Sequence, residues 1–284
     1  MTTESASPIR NRNKKVLVRG IGDVGSAVAH ALFGAGFAVV IHDEPQPTHS
    51  RRQMAFTDAL FDGKARLAGL DAMRIDDLLP LQDFLCAREG IAASMQSLEA
   101  LLVAFAPDVL VDARMRKRQI PEVQRHMAAL TIGLGANFTA GHTTHMVIET
   151  AWGEQLGKVI SEGAAAVLSG GPRLIGRYGT ERVIYAPHPG VWASSRNIGD
   201  TVSATQLIGH VDATAIIAAL GGRIRGLTRH CVRVNQGTKI VEIDPRGDDA
   251  VFTGIGERPA QISAGILKAI EIWSFRNPES RNPS

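Results

Sequence analysis

With 284 residues, 44% of them hydrophobic and 21% charged, the chain has ordinary globular composition and enough length for two domains. Its apolar runs fall short of the roughly 18 residues a membrane helix needs, and residues 1–15 carry no signal-peptide core, so the expectation is a cytoplasmic protein with no membrane partner. A formal net charge of +3, with a basic run at Arg114, Arg116, Lys117 and Arg118 that lacks interleaved aromatics, speaks against nucleic acid, and two cysteines, Cys86 and Cys231, cannot make a disulfide framework or a thiolate zinc site.

Residues 1–14 read as a disordered tail. The stretch "VLVRGIGDVGSAVAHALFGAGFAVVIHDE" that follows, from Val16 to Glu44, reads as strand, turn, helix, strand. Val16, Leu17 and Val18 are a short apolar run, and Gly20, Gly22 and Gly25 then supply G-x-G-x-x-G around Asp23. In that motif the first glycine permits a tight turn, the second lets backbone approach a pyrophosphate, and the third lets the helix close on the strand. Val24, Val28, Ala31, Leu32 and Ala35 give the helix one apolar face, and its first N–H groups suit an anion. Asp43 and Glu44, at the end of the next strand, are placed to bond a ribose hydroxyl. The candidate cofactor-binding set is therefore Gly20, Gly22, Asp23, Gly25, Asp43 and Glu44. The acids favour NAD over NADP, although Arg51 and Arg52 could receive a 2′-phosphate. The alternative is that the glycines serve tight packing alone.

Further along, Ser50 is positioned to cap a helix through Met54 and Phe61, and Ile75 to Leu85 has helical spacing interrupted at Pro80. Ile91 to Ser94 predicts a strand, Ser97 begins a helix that Pro107 stops, and Val109 to Val111 and Leu130 to Gly133 predict two more strands. This alternation predicts a Rossmann-like parallel sheet with helices on both faces over residues 15–168, its ligand beyond the strands' carboxyl ends. The loop "GLGANFTAGHTTH" holds His142 and His145 three apart, but no third ligand accompanies them, so no metal site is assigned. Arg51, Arg52, Asn137, Thr139, Gly141 and His145 form a possible anion or ligand loop.

The character changes near Gly170. From 180 to 248 the chain has short strands and a duplication: Gly190, Val202, Ile208 and Val211 recur as Gly222, Val234, Ile240 and Ile243, each 32 residues on. Two such halves should pair into one small sandwich. The pattern resembles the biotinyl and lipoyl carrier fold, but the hairpin at His210 to Thr214 has no lysine for a swinging arm. Ile262, Ile266, Leu267, Ile270 and Trp273 predict an amphipathic helix within a C-terminal segment, 249–275, and residues 276–284 a disordered tail. The expected fold class is an α/β Rossmann-like parallel sheet with a second, small all-β barrel-sandwich hybrid domain.

The order of a G-x-G-D start, "PQPTHSRRQMAF", "DVLVDA", "NFTAGHTTH", "VIET", "ERV", a lysine-free β region and "DPRG" resembles the accessory-protein family of selenium-dependent molybdenum hydroxylase systems, over roughly residues 15 to 272. The resemblance implies an accessory or maturation factor whose partner is a molybdenum hydroxylase, xanthine-dehydrogenase-like, or its maturation machinery. It implies no settled reaction. The alternative is a NAD(P)-dependent oxidoreductase, for which the chain offers no dedicated catalytic domain. Oligomeric state is left open, a homo-oligomer included.

Overall fold

The computed structural model describes residues 14–116, 119–167 and 171–277; the N-terminal tail expected at 1–14 and the C-terminal tail expected at 276–284 lie almost wholly outside them. The first unit begins with β1 (Lys15–Arg19), α1 (Asp23–Gly34) and β2 (Ala38–His42). It continues with α2 (Asp58–Asp62), β3 (Lys64–Leu67), β4 (Leu70–Arg74), α3 (Leu81–Ala87), β5 (Ile91–Ser94) and α4 (Leu98–Phe105). Then come β6 (Val109–Asp112), β7 (Leu130–Leu134), β8 (Thr139–Ala140), β9 (Met146–Ile148), β10 (Val159–Ile160) and β11 (Gly163–Ala164).

Nine of these strands form one sheet in the order β10-β9-β7-β6-β1-β2-β5-β4-β3. Side chains alternate across it, as the strand pleat requires. Val16, Val18, Val39 and Ile41 share one core with α1 and α2, whereas Leu17, Val40, Ala92 and Leu110 share the other with α3 and α4. Ser97 caps α4 by accepting from the Ala100 N–H at 3.2 Å. Ser50 caps nothing: the expected helix is a 3-10 turn at Arg52–Met54 followed by the short α2, and the Ser50 carbonyl instead accepts the Leu227 N–H from the second unit.

The second unit contains β12 (Val183–Tyr185), β13 (Gly190–Ala193), β14 (Thr201–Val202), β15 (Leu207–Val211), β16 (Thr214–Ile217), β17 (Gly222–Leu227), β18 (Val232–Val234) and β19 (Lys239–Asp244). They make two four-stranded sheets, β16-β15-β13-β18 and β12-β19-β17-β14. Trp192, Val202, Ile208, Val211, Ile224, Val234, Ile240 and Ile243 belong to one core. The duplication is visible in the pairing, since Gly190 opposes Val234 and Gly222 opposes Val202 at equivalent positions of the repeat. The last element, α5 (Glu257–Arg276), buries Ile262, Ile266 and Ile270 against the first unit's core and packs on α1.

The expected fold class is corrected on both counts. The main sheet is mixed rather than parallel: β3 runs antiparallel to β4, and β10 to β9. The β3–β4 connection is a tight turn at Ala68 and Gly69, both at positive φ, and so short a link can join only antiparallel strands. Helices do not alternate with strands beyond β6 either. Among the described residues the segment leading from β6 to β7 holds no helix or strand and that from β7 to β9 holds only the two-residue β8, and α5 covers that part of the sheet instead. In the second unit the duplicated halves do not share one sheet. Each half contributes two strands to its own sheet and lends its middle strand, β14 or β18, to the other. No helix among the described residues is long and apolar enough to cross a membrane.

Candidate functional site at the glycine turn

The sequence between β1 and α1 folds as a close turn because its glycines admit no side chain. Gly20 has φ +106°, and a Cβ there would lie 2.8 Å from the Ala113 carbonyl and the Arg114 nitrogen. A Cβ on Gly25 would lie 1.8 Å from the Gly20 carbonyl oxygen, so α1 starts hard against the strand. The turn is then pinned from behind: Ser26 Oγ donates to the Ile21 carbonyl at 2.9 Å and accepts the Phe56 N–H at 2.8 Å. It sits at the carboxyl edge between β1 and β6, where the chain's crossovers change direction.

Asp43 reaches back over this turn. Its Oδ2 accepts the Ile21 N–H at 2.8 Å and His49 Nε2 at 2.9 Å, and its Oδ1 accepts the Glu44 N–H at 2.9 Å. A carboxylate offers about four acceptor positions, so roughly one is left for a ligand. Burial pushes the Asp43 carboxyl up, but His49 and the two N–H groups outweigh it and hold it below the usual range. The His49 ring is the near neighbour of Gly22, 3.0 Å from where a Cβ would stand. Glu44 is exposed beside it.

Asp23 occupies the first turn of α1, and its Oδ2 accepts from Arg51 Nη1 at 2.8 Å. Burial raises this carboxyl and Arg51 more than compensates, leaving it below its ordinary value. Arg51 in turn clamps the carboxylate of Glu242 on β19 through Nε and Nη2, at 2.8 and 2.9 Å. Arg52 donates to the Leu227 carbonyl at 2.8 Å and pairs with Asp58. Both arginines thus tie the first unit to the second.

The ligand loop disperses. Because β7 and β9 are parallel, with Ile132 opposite Met146, His145 lies beside Thr131, nearer the amino edge of the sheet than the glycine turn's edge. Its Nδ1 accepts the Thr131 N–H at 3.1 Å, its ring packs 4.9 Å from Trp273, and burial, with Arg125 nearby, lowers its pKa. Thr139 begins β8 and its N–H donates to Thr143 Oγ1, Gly141 is exposed with Arg125 on its carbonyl, and Asn137 Nδ2 donates to the Gln119 carbonyl. Among the described residues no three His, Cys, Asp or Glu side chains group as metal ligands would.

Next to the turn, beyond β6 and β7, lies a narrow cleft of about 30 Å³, partly open to solvent, whose lining includes Asp112, Arg114, Glu122, Leu134, Phe138 and Thr150. Asp112 is buried; it is bonded by Arg114 and accepts Gln124 Nε2 at 2.6 Å. Arg19, at the end of β1, donates to Glu122 at 2.6 Å and lies 3.6 Å from Asp112. Burial acts upward on Glu122, yet the Arg19 bond and its neighbours bring it down to about 2. The two guanidinium groups and two carboxylates balance. Three buried polar atoms around them, Arg19 Nε, Gln124 Oε1 and Thr150 Oγ1, have no partner among the described residues. Unpaired buried groups of this kind are uncommon and suit a ligand that carries both donors and acceptors.

His49, Glu122, Gln124, Thr150 and Glu242 were not legible as site residues. Only Glu242 left a trace, as an acid between the apolar Val241 and Ile243 of its strand.

No family model matches the chain. It is similar to the uncharacterized protein YqeB of Escherichia coli (strain K12), with 37% identity over 255 residues that make up 90% of this chain and 47% of YqeB. The chain therefore spans about half the length of that curated relative. Among solved structures it is similar to an aspartoacylase family protein from Mesorhizobium loti, at 10% identity and a TM-score of 0.23, covering 82% of this chain and 86% of that one. It is also similar to a succinylglutamate desuccinylase/aspartoacylase from Rhodobacter sphaeroides, at 13% identity and a TM-score of 0.21, covering 80% and 86%. At these TM-scores neither carries an argument about fold or chemistry.

Proposed function

We propose that the chain is an accessory or maturation factor for a molybdenum hydroxylase, xanthine-dehydrogenase-like, and that it binds a nucleotide or nucleotide-bearing cofactor at the glycine turn, NAD in preference to NADP. The observation that supports nucleotide binding is the turn itself. Gly20 at positive φ, Gly25 with no room for a Cβ, the 12-residue α1 and Asp43 lying over the turn meet at the carboxyl edge between β1 and β6. The remaining acceptor position on Asp43 suits one ribose hydroxyl. With Arg51 and Arg52 engaged by Asp23, Glu242 and Asp58, a 2′-phosphate would have to displace existing ion pairs, which favours the free hydroxyl of NAD. The partner rests on the motif order from "PQPTHSRRQMAF" to "DPRG".

A second reading, a NAD(P)-dependent oxidoreductase, is favoured by the adjoining cleft, whose unpaired Thr150 hydroxyl and buried Asp112 could hold a substrate beside the nucleotide. Calorimetric titration of the pure protein with NAD and NADP tests the binding. Asp43→Asn should weaken NAD about ten-fold, the worth of one hydrogen bond to a charged acceptor. In cells carrying Gly22→Val, whose side chain would press on His49, the hydroxylase should accumulate normally but work poorly. Steady nicotinamide turnover by the pure protein, with hydroxylase activity intact in those cells, would favour the oxidoreductase.

A further inference from the structure

Where the two units meet, cations outnumber their counter-charges. The carboxylate of Glu242 is fully buried and is contacted by Arg51, Arg182 and Lys239, with Arg225 at 3.9 Å. Arg225 has no closer acid than Asp244, at 3.6 Å, and Asp244 is already held by Arg246. Among the described residues, Asp23, paired with Arg51, is the one further carboxylate besides Glu242 and Asp244 that forms an ion pair with this group.

Arg258, the second residue of α5, is the least satisfied member. Its Nε donates to the Thr150 carbonyl at 2.8 Å, and no carboxylate among the described residues forms an ion pair with it. Half-buried, it lies close enough to Asp23 and Arg51 to feel both, while Glu149, the next acid, is occupied by the N–H groups of Thr150, Ala151 and Ala166. Thr150, whose carbonyl anchors it, is buried, and its unpartnered hydroxyl lies by Gly135 in the adjoining cleft. Burial first, and then neighbouring positive charge, push Arg258 and Arg225 below their ordinary pKa, and burial pushes Lys239 down to about 8. A cation cluster short of acids is costly to bury, and an anion bound within it removes that cost.

We propose that this seam is a binding site for a phosphate-bearing anion, with Arg258 as its contact residue and Arg51 as the positioning residue that carries the Asp23 and Glu242 pairs. The site deepens the nucleotide reading, on which it rests for the source of the phosphate. It also resolves a conflict in that reading: the first turn of α1, where a pyrophosphate would otherwise sit, already holds the carboxylate of Asp23. Arg258 supplies a fork for two phosphate oxygens from outside the glycine turn. Bound there, the anion would join Arg258 of α5 to the Arg51 group, and so raise stability in proportion to its concentration.

The test is calorimetric titration of the full chain with inorganic pyrophosphate and, separately, with NAD, together with thermal midpoints at each concentration. Wild type should bind pyrophosphate and gain thermal stability from it. Arg258→Met should weaken pyrophosphate about ten-fold or more, and Arg258→Lys, which keeps charge but not the fork, by a few-fold. Arg223→Ala, at an exposed pair outside the seam, should bind as wild type does. If wild type ignores pyrophosphate, or if Arg258→Met binds it as tightly, the site is wrong. Should Arg258→Met not fold, an unchanged Arg258→Lys has the same meaning. NAD binding that survives Arg258→Met would remove this site and leave the nucleotide reading. Pyrophosphate binding that is lost in Arg258→Met, in a protein that never binds NAD, would keep the site and remove the reading.

Discussion

The glycine turn and the charged seam adjoin each other at Arg51, yet they are built in opposite ways. The turn is made by backbone: six contiguous residues, Gly20 to Gly25, close around one another, and the adjoining Asp43 is only 22 residues from the Ile21 N–H it accepts. The seam is made by side chains from remote parts of the chain, with Arg51 and Glu242 separated by 191 positions and Arg258 and Thr150 by 108. The first is rigid because nothing larger than hydrogen fits. The second holds because charges that were solvated in the unfolded chain must find partners once buried, so it responds to salt and bound anions more than the close-packed backbone of the turn does.

The sharpest way to break the contrast is steric. Gly25→Val would drive a side chain into the Gly20 carbonyl and should cost on the order of 3 kcal/mol or more, or prevent folding. Gly34→Ala in the same helix meets nothing within 4 Å and should be neutral or stabilise by up to about 1 kcal/mol. Urea denaturation of the two variants measures the difference, and equal losses would mean that the turn is not close-packed.

An electrostatic change should come next. Glu242→Gln removes the shared carboxylate while leaving Arg51, Arg182 and Lys239 in place, and should cost about 3–5 kcal/mol, part of it recovered at high concentrations of pyrophosphate. A loss below about 1 kcal/mol in the same denaturation assay would show that the seam is already solvated.

Acid provides a gentler probe. Glu122 has a folded pKa of about 2 against an ordinary 4.5, and Asp23, Asp43 and Glu242 are shifted in the same direction. For each, the unfolded chain takes up protons first. Their stabilisation is therefore complete above the ordinary carboxylate value and is lost as pH falls through the folded one. For Glu122 the thermal midpoint should drop between pH 4.5 and about 2, and Arg19→Met should flatten part of that drop. A midpoint independent of pH in this range would contradict the pairing. The smallest effect is reserved for Arg223→Ala, whose partner Asp248 is 95% exposed, and denaturation should register less than about 0.5 kcal/mol.

Local patterns carried much of the first unit. The apolar run at Val16 to Val18, the glycines, the helical spacing of Val24, Val28 and Leu32, the strand at Ile91 to Ser94 and the Ser97 cap are each specified by neighbours in the chain, and each stands in the structure where its residues predict it. The repeat of Gly190 and Val202 at Gly222 and Val234 was equally plain, because equivalent residues must meet equivalent surroundings. What lay beyond local reading was how those pieces combine. An Ala-Gly turn at 68–69 is a weak hairpin signal, so the antiparallel edge β3–β4 was invisible, and with it the mixed character of the sheet. That the repeated halves exchange β14 and β18 between two sheets is a matter of long-range pairing, which the spacing of the repeat does not specify. The same limit applies to the sites. The glycine turn is a property of six adjacent residues and could be read directly, whereas Glu242 and Arg258 are unremarkable charges until tertiary packing brings Arg51, Arg182 and Lys239 to the one and the Thr150 carbonyl to the other.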